Sequence, residues 1–144
     1  MKKQHWTLLA ICAAKGQGLS PVQLQKSLFL LGRRLSKEEL GEDFYEFVPY
    51  NYGPFDVKIY HDAEGLEELR LITITQPTGY RWKSYQATPF VVELAAKLRT
   101  EVLPHALAYL DEVVAWVHGL SFRDLVRAIY EAYPEFRANS VFQG

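Results

Sequence analysis

The chain predicts a mainly α fold with a small antiparallel β-hairpin, arranged as a winged-helix-like core extended by C-terminal helices. Three observations predict it. Helix-start signals made of a small polar residue and a proline recur at Ser20-Pro21 and Thr88-Pro89. Apolar residues then return at helical spacing through most of the chain. Only one pair of β-prone runs, LITIT at 71–75 and YRWKSYQAT at 80–88, flanks a turn signal, Gln-Pro-Thr-Gly. At 144 residues the chain has the size of one domain, 1–144, and no linker-like tract or internal repeat divides it.

The first element is MKKQHWTLLAICAAKG. Its apolar run is too short, and its flanks too polar, for a secretory signal, which leaves a cytoplasmic protein as the expectation. Leu8, Ile11 and Cys12 fit the buried side of a helix ended by Gly16. Ser20 caps the next helix, Pro21 sits at its first position, and Gln23 completes a capping box. That helix runs to about Leu35 and carries so many apolar residues that it is expected at the centre. SKEELGED, 36–43, reads as an exposed connection or a short helical turn.

FVPYNYGPFDVKIY, 47–60, crowds five aromatic rings and two prolines around an Asn-Tyr-Gly-Pro turn. Phe44 to Tyr50 reads as a short extended segment. Gly53 permits the turn, and Pro54 is expected at the first position of a helix reaching about Arg70. Phe55, Ile59, Ala63, Leu66 and Leu69 form that helix's inner face, with Phe47 and Tyr50 in the core beside them. Asn51 and Tyr52 sit at the turn, where their side chains either cap the helix or face a partner. Beyond the hairpin, helices are expected from Pro89 to about Arg99, from beside Pro104 to His118, and from Ser121 to Ala132, where Tyr133-Pro134 stops the last. Tyr130, Tyr133, Phe136 and Phe142 are expected to tie the chain end to the body.

Composition narrows function. Hydrophobic residues at 49% and charged residues at 23% describe a globular chain. A formal charge of -1 supplies no bulk attraction to phosphate backbones or anionic lipid, so no membrane association is expected, and nucleic-acid binding requires a local basic patch. One cysteine excludes an internal disulfide. There is no Gly-rich phosphate loop, no His-Glu-x-x-His and no Gly-x-Ser-x-Gly. His5, His61, His105 and His118 make no ligand pair on one helix, and Cys12 reads as a small buried hydrophobe. No catalytic residue, cofactor site or metal site is expected.

The helix after the Tyr-Gly-Pro turn is a poor reader of a DNA groove, because Asp56, Asp62, Glu64, Glu67 and Glu68 outnumber Lys58 and Arg70. In the hairpin, Arg81 and Lys83 alternate with Tyr80, Trp82 and Tyr85, which places the basic pair on one strand face and Trp82 on the other. That face fits phosphates, a protein partner, or plain solvent over a buried Trp82.

LQKSLFLLGRRL at 24–35, FYEFVPYNYGPFDVKIYHDAEGL at 44–66, the hairpin after it, and LVRAIYEAYPEFRANSVF at 125–142 together resemble the Panacea domain, the SocA-like antitoxin family of bacteria and phages. The resemblance implies a mainly helical domain that neutralises a toxin by direct contact or carries it to a protease, with no catalysis and no cofactor. Its partner is then a protein, the cognate toxin or a protease. The expected partner-binding residues are Asn51, Tyr52, Arg81, Lys83 and Tyr85, with Gly53 and Pro54 as the structural turn. A winged-helix DNA-binding regulator, contacting nucleic acid through the basic hairpin, is the alternative.

Overall fold

Trp6 to Ile11 and Leu24 to Phe29 are two unbroken runs of six buried residues, so the helices that carry them are surrounded on all sides. The computed structural model describes residues 1–144. The two helices, α1 (Lys3–Ala13) and α2 (Pro21–Arg34), share the centre that the sequence assigned to the second alone. α1 ends where Lys15 and Gly16 take positive φ, and α2 starts on the Ser20–Gln23 capping box. One turn of helix, α3 (Lys37–Leu40), follows, and its Leu40 carbonyl accepts the indole N–H of Trp6 at 2.9 Å.

The aromatic stretch folds as an antiparallel ribbon, β1 (Val48–Tyr50) with β2 (Gly53–Phe55), in the register Val48 to Phe55 and Tyr50 to Gly53. Pro49 faces Pro54 across it, a pairing that asks neither proline for an N–H. Gly53 takes the turn's one positive φ, +108°. The expected helix start at Pro54 is therefore corrected, and the cause is visible in the hydrogen bonds. A helix from Pro54 would send the Lys58 N–H back to the Pro54 carbonyl. Instead, the Asp56 carboxylate takes that N–H at 2.9 Å, and Lys26 of α2 takes the carbonyl at 3.1 Å. Asp56 is the true start signal, α4 spans Lys58–Glu68, and neither Asn51 nor Tyr52 caps it. Ile59, Ala63 and Leu66 face the core as expected, whereas Leu69 lies past the helix end and is exposed.

The second hairpin pairs β3 (Ile72–Thr75) with β4 (Ser84–Ala87), Ile74 opposite Tyr85. Leu19 extends it by exchanging both backbone hydrogen bonds with Tyr85. The sequence places the second strand's start at Tyr80; it begins four residues later, because Gln76 to Lys83 fold as an irregular loop closed by Tyr80 N–H to the Pro77 carbonyl. The order of helices, hairpin and further helices matches the sequence expectation, with α5 (Val92–Arg99), α6 (Pro104–His118) and α7 (Phe122–Ala132), but the helix expected from Pro89 opens as a 3₁₀ turn (Pro89–Val91), because the Thr88 hydroxyl donates to the Arg70 carbonyl instead of capping. Ser121 caps α7 by accepting from Asp124 N–H.

Two apolar clusters hold these pieces. The larger gathers α1, α2, α4, β3, α5 and α6; the smaller joins Phe29 to Val113, Val117, Leu125, Ile129 and Phe136. Rings at the C-terminus do tie it down. Phe136 and Tyr133 meet Phe29 edge-on, and Phe142 packs between Phe122 and Tyr130. Ser140 and Val141 both donate to the Asn51 carbonyl, so the tail is bound to the aromatic turn.

Asp56 is buried with both carboxylate oxygens occupied by backbone N–H groups, Glu46 and Lys58. Asp56→Ala leaves both donors unpaired and should lower unfolding free energy by about 2–4 kcal/mol, with Asp56→Asn intermediate. Denaturant melts measure this, and a loss under about 0.5 kcal/mol for the alanine variant would contradict the anchoring role.

Candidate functional site

Between the β1–β2 ribbon, the start of α2, the 76–83 loop and the start of α7 lies a cleft of about 860 Å³. Its position follows from α2. Gln25 exchanges two hydrogen bonds with the peptide of Asp56, its side-chain N–H to the carbonyl at 2.9 Å and its side-chain oxygen from the N–H at 3.0 Å. Lys26 holds the Pro54 carbonyl one peptide further along. The ribbon is thus fastened to α2 at its base, leaving its rings to line the opening.

Six rings line it. Tyr50 stacks on Phe55 at 4.6 Å, and Phe55 meets Tyr60 edge-on at 5.6 Å. Tyr52 meets Phe122 edge-on at 5.0 Å, and Trp82 stacks on the same ring at 5.6 Å. Phe122 of α7 therefore joins the turn to the 76–83 loop, in which Arg81 and Trp82 lie ahead of the strand start at Ser84.

Lys26 is the chemically distinctive member. It lines the cleft at 3% exposure, its one hydrogen bond goes to a neutral carbonyl, and no carboxylate is paired with it. Burial disfavours the ammonium and pulls its pKa down to about 7. Arg81 is the other cation, exposed at the mouth, and no Asp or Glu is among the lining residues.

The residues expected from sequence divide. Asn51, Tyr52 and Arg81, from two separate loops, come together on this cleft, with Gly53 beneath them. Lys83 does not share it: its side chain lies in recesses beyond Trp82, one of which it shares with Glu64, Glu67 and Glu68. Tyr85 is corrected outright as a surface residue, since it is 4% exposed and stacks parallel to Tyr60 at 6.3 Å. Trp82 is also corrected: it is 42% exposed, because residues 80–83 leave the strand in which alternation would have buried it. Tyr50, expected in the core, is likewise exposed.

Sequence reading missed Lys26, Gln25, Tyr60 and Phe122. Gln25 and Lys26 belong to a polar triplet with Ser27, set between Leu24 and Leu28 in a helix whose many apolar residues leave little solvent face, and that crowding was the available signal. Phe122 gave none beyond its place beside the Ser121 cap.

Other reactive groups are quiet. Burial pushes the Cys12 thiol up to about 11, so it stays protonated at neutral pH. No three His, Cys, Asp or Glu side chains cluster as metal ligands. No helix is long and apolar enough to cross a membrane. No family model, curated protein or solved structure matches the chain.

Lys26 gives a pH signature. Between about 7 and the ordinary lysine value of 10.5 the unfolded chain holds a proton that the folded chain has released, so this residue's cost shrinks as pH rises and is full below 7. Relative to Lys26→Met, the wild-type chain should gain up to about 1.4 kcal/mol of stability per pH unit across that window. Comparing the two proteins cancels the opposing alkaline titration of Cys12, and a flat difference would mean that the amine is not desolvated.

Proposed function

We propose that the chain is an antitoxin-like protein-interaction module that docks its partner, a toxin or a protease, on the face carrying the aromatic cleft. One observation carries the reading: Tyr52, Arg81 and Trp82, side chains of the types that dominate protein interfaces, converge from different loops on one open surface. The motif resemblance to the SocA-like antitoxins points the same way. Rings held by their neighbours lose little freedom on contact, which favours tight docking on such a surface.

The winged-helix DNA-binding reading has less support. α4, the groove-reading candidate, carries Glu64, Glu67 and Glu68 on exposed positions, and Lys83 lies beside them. Phosphate contacts need the opposite charge.

Co-expression with the product of the adjacent gene, followed by purification with nuclease, is the test. A stoichiometric complex with rescue of growth is expected, and Tyr52→Ala and Arg81→Ala should each weaken it by about tenfold or more, while Lys83→Ala changes it little. A complex indifferent to Tyr52 and Arg81 would move the docking face elsewhere. Recovery of nucleic acid alone, lost as salt rises, would replace this reading with the DNA-binding one.

A further inference from the structure

We propose that the cleft above Lys26 is a receptor for a small aromatic carboxylate, whose flat apolar body lies among the rings and whose carboxylate accepts from the Lys26 amine. The amine is the first reason. An ammonium has three N–H donors, and here one is accounted for by the Pro54 carbonyl. A buried, unpaired cation costs free energy that an entering anion returns. Nothing inside the chain supplies that anion. The nearest carboxylate in sequence to this carbonyl, Asp56, is turned to the Glu46 and Lys58 N–H groups, and no acidic residue lines the cleft.

Shape is the second reason. About 860 Å³ falls within the range of small-molecule sites, as does a lining of rings with a few polar groups. Flat ring systems pack on tyrosine, phenylalanine and tryptophan by stacking or edge contacts. Charge decides the class of anion: one buried cation is neutralised by one carboxylate, whereas a phosphate dianion leaves a surplus negative charge in an apolar cleft. Arg81 at the mouth adds attraction without reaching that burial.

The site should be pH-sensitive, because Lys26, held near 7 by burial, is a cation only on the acid side of neutrality. The ionisable groups around it are Tyr50 and Tyr52 of the ribbon, Tyr60 of α4, Arg81 of the loop and Tyr130 of α7, whose ring and the Lys26 amine both approach Gly53. Of these, burial pushes the Tyr60 phenol up to about 12, well away from neutrality. The two readings share the cleft's rings, but only this one depends on the Lys26 amine, so Lys26→Met tests it apart from the docking reading, which Tyr52→Ala tests.

The experiment titrates the full chain with 2-naphthoate and with 2-naphthamide, its uncharged isostere, by calorimetry and ligand-observed NMR. At about pH 6.5 the carboxylate should bind about tenfold tighter or better, and that preference should shrink towards about pH 8.5. Buffers of different ionisation heat should report proton uptake on binding near neutrality. Lys26→Met, its fold checked by circular dichroism, should lose both the preference and the uptake, whereas Arg81→Gln should keep the pH dependence. Equal affinity for the two probes, no binding of naphthoate at millimolar concentration, or a preference that survives Lys26→Met would each overturn the assignment. A pH-independent preference would overturn it as well, by transferring the anion to Arg81.

Discussion

Two neighbouring polar side chains on a buried helix govern the rest of this architecture. Gln25 offers the β1–β2 ribbon a donor and an acceptor, so its amide pairs with the Asp56 peptide as another strand's backbone would. Lys26 takes the Pro54 carbonyl beside it. With these groups occupied, the Tyr-Gly-Pro segment cannot wind into helix, and the helix after it begins only beyond Asp56. Each of those hydrogen bonds is made away from water, where an unmade partner costs more than a made bond contributes. The arrangement is therefore held as a unit: loosening one group leaves another unsatisfied.

That anchoring decides what the surface looks like. Fastened at its base, the ribbon projects Tyr50 and Tyr52 outward instead of burying them, and Phe122 of α7 bridges Tyr52 to Trp82. The C-terminal tail closes the same turn from behind through the Asn51 carbonyl, with Tyr130 donating to Ser140. Segments far apart in the chain thus share one small region, in which a desolvated amine meets a set of rings. A comparable chain of polar contacts, Thr7 to Tyr45 to Asp62, ties α1 to α4 and lies against the main core. There burial raises the Tyr45 phenol well above its ordinary range and keeps it a hydrogen-bond donor.

How much of this could be read beforehand differs by element. The capped helices were legible to within a few residues because the Ser20-Pro21 and Ser121 caps act within one turn of chain. Pro54 was misleading because proline suits a helix's first turn and an edge strand equally; the choice lay with Lys26, 28 residues away. The run at 80–88 was misjudged because β-propensity reports fit to a half-buried surface, and the ring of Phe122 supplies Trp82 with a better one. Asn51, Tyr52 and Arg81 were legible as site candidates by being polar or aromatic at turns. Tyr85 was not distinguishable from them, since its burial depends on the bridge to Leu19.

By itself the sequence determined the helical character, the order of elements and the positions of most helix starts, all consequences of interactions that span a few residues. Only the tertiary structure decided that Lys26 is buried without a counter-ion, that the aromatic turn is a ribbon, and that rings from four elements face one cleft. The physical reason is range. Caps and periodicity are local, whereas desolvation and ring packing depend on which distant residues exclude the water, and no window along the chain contains both partners.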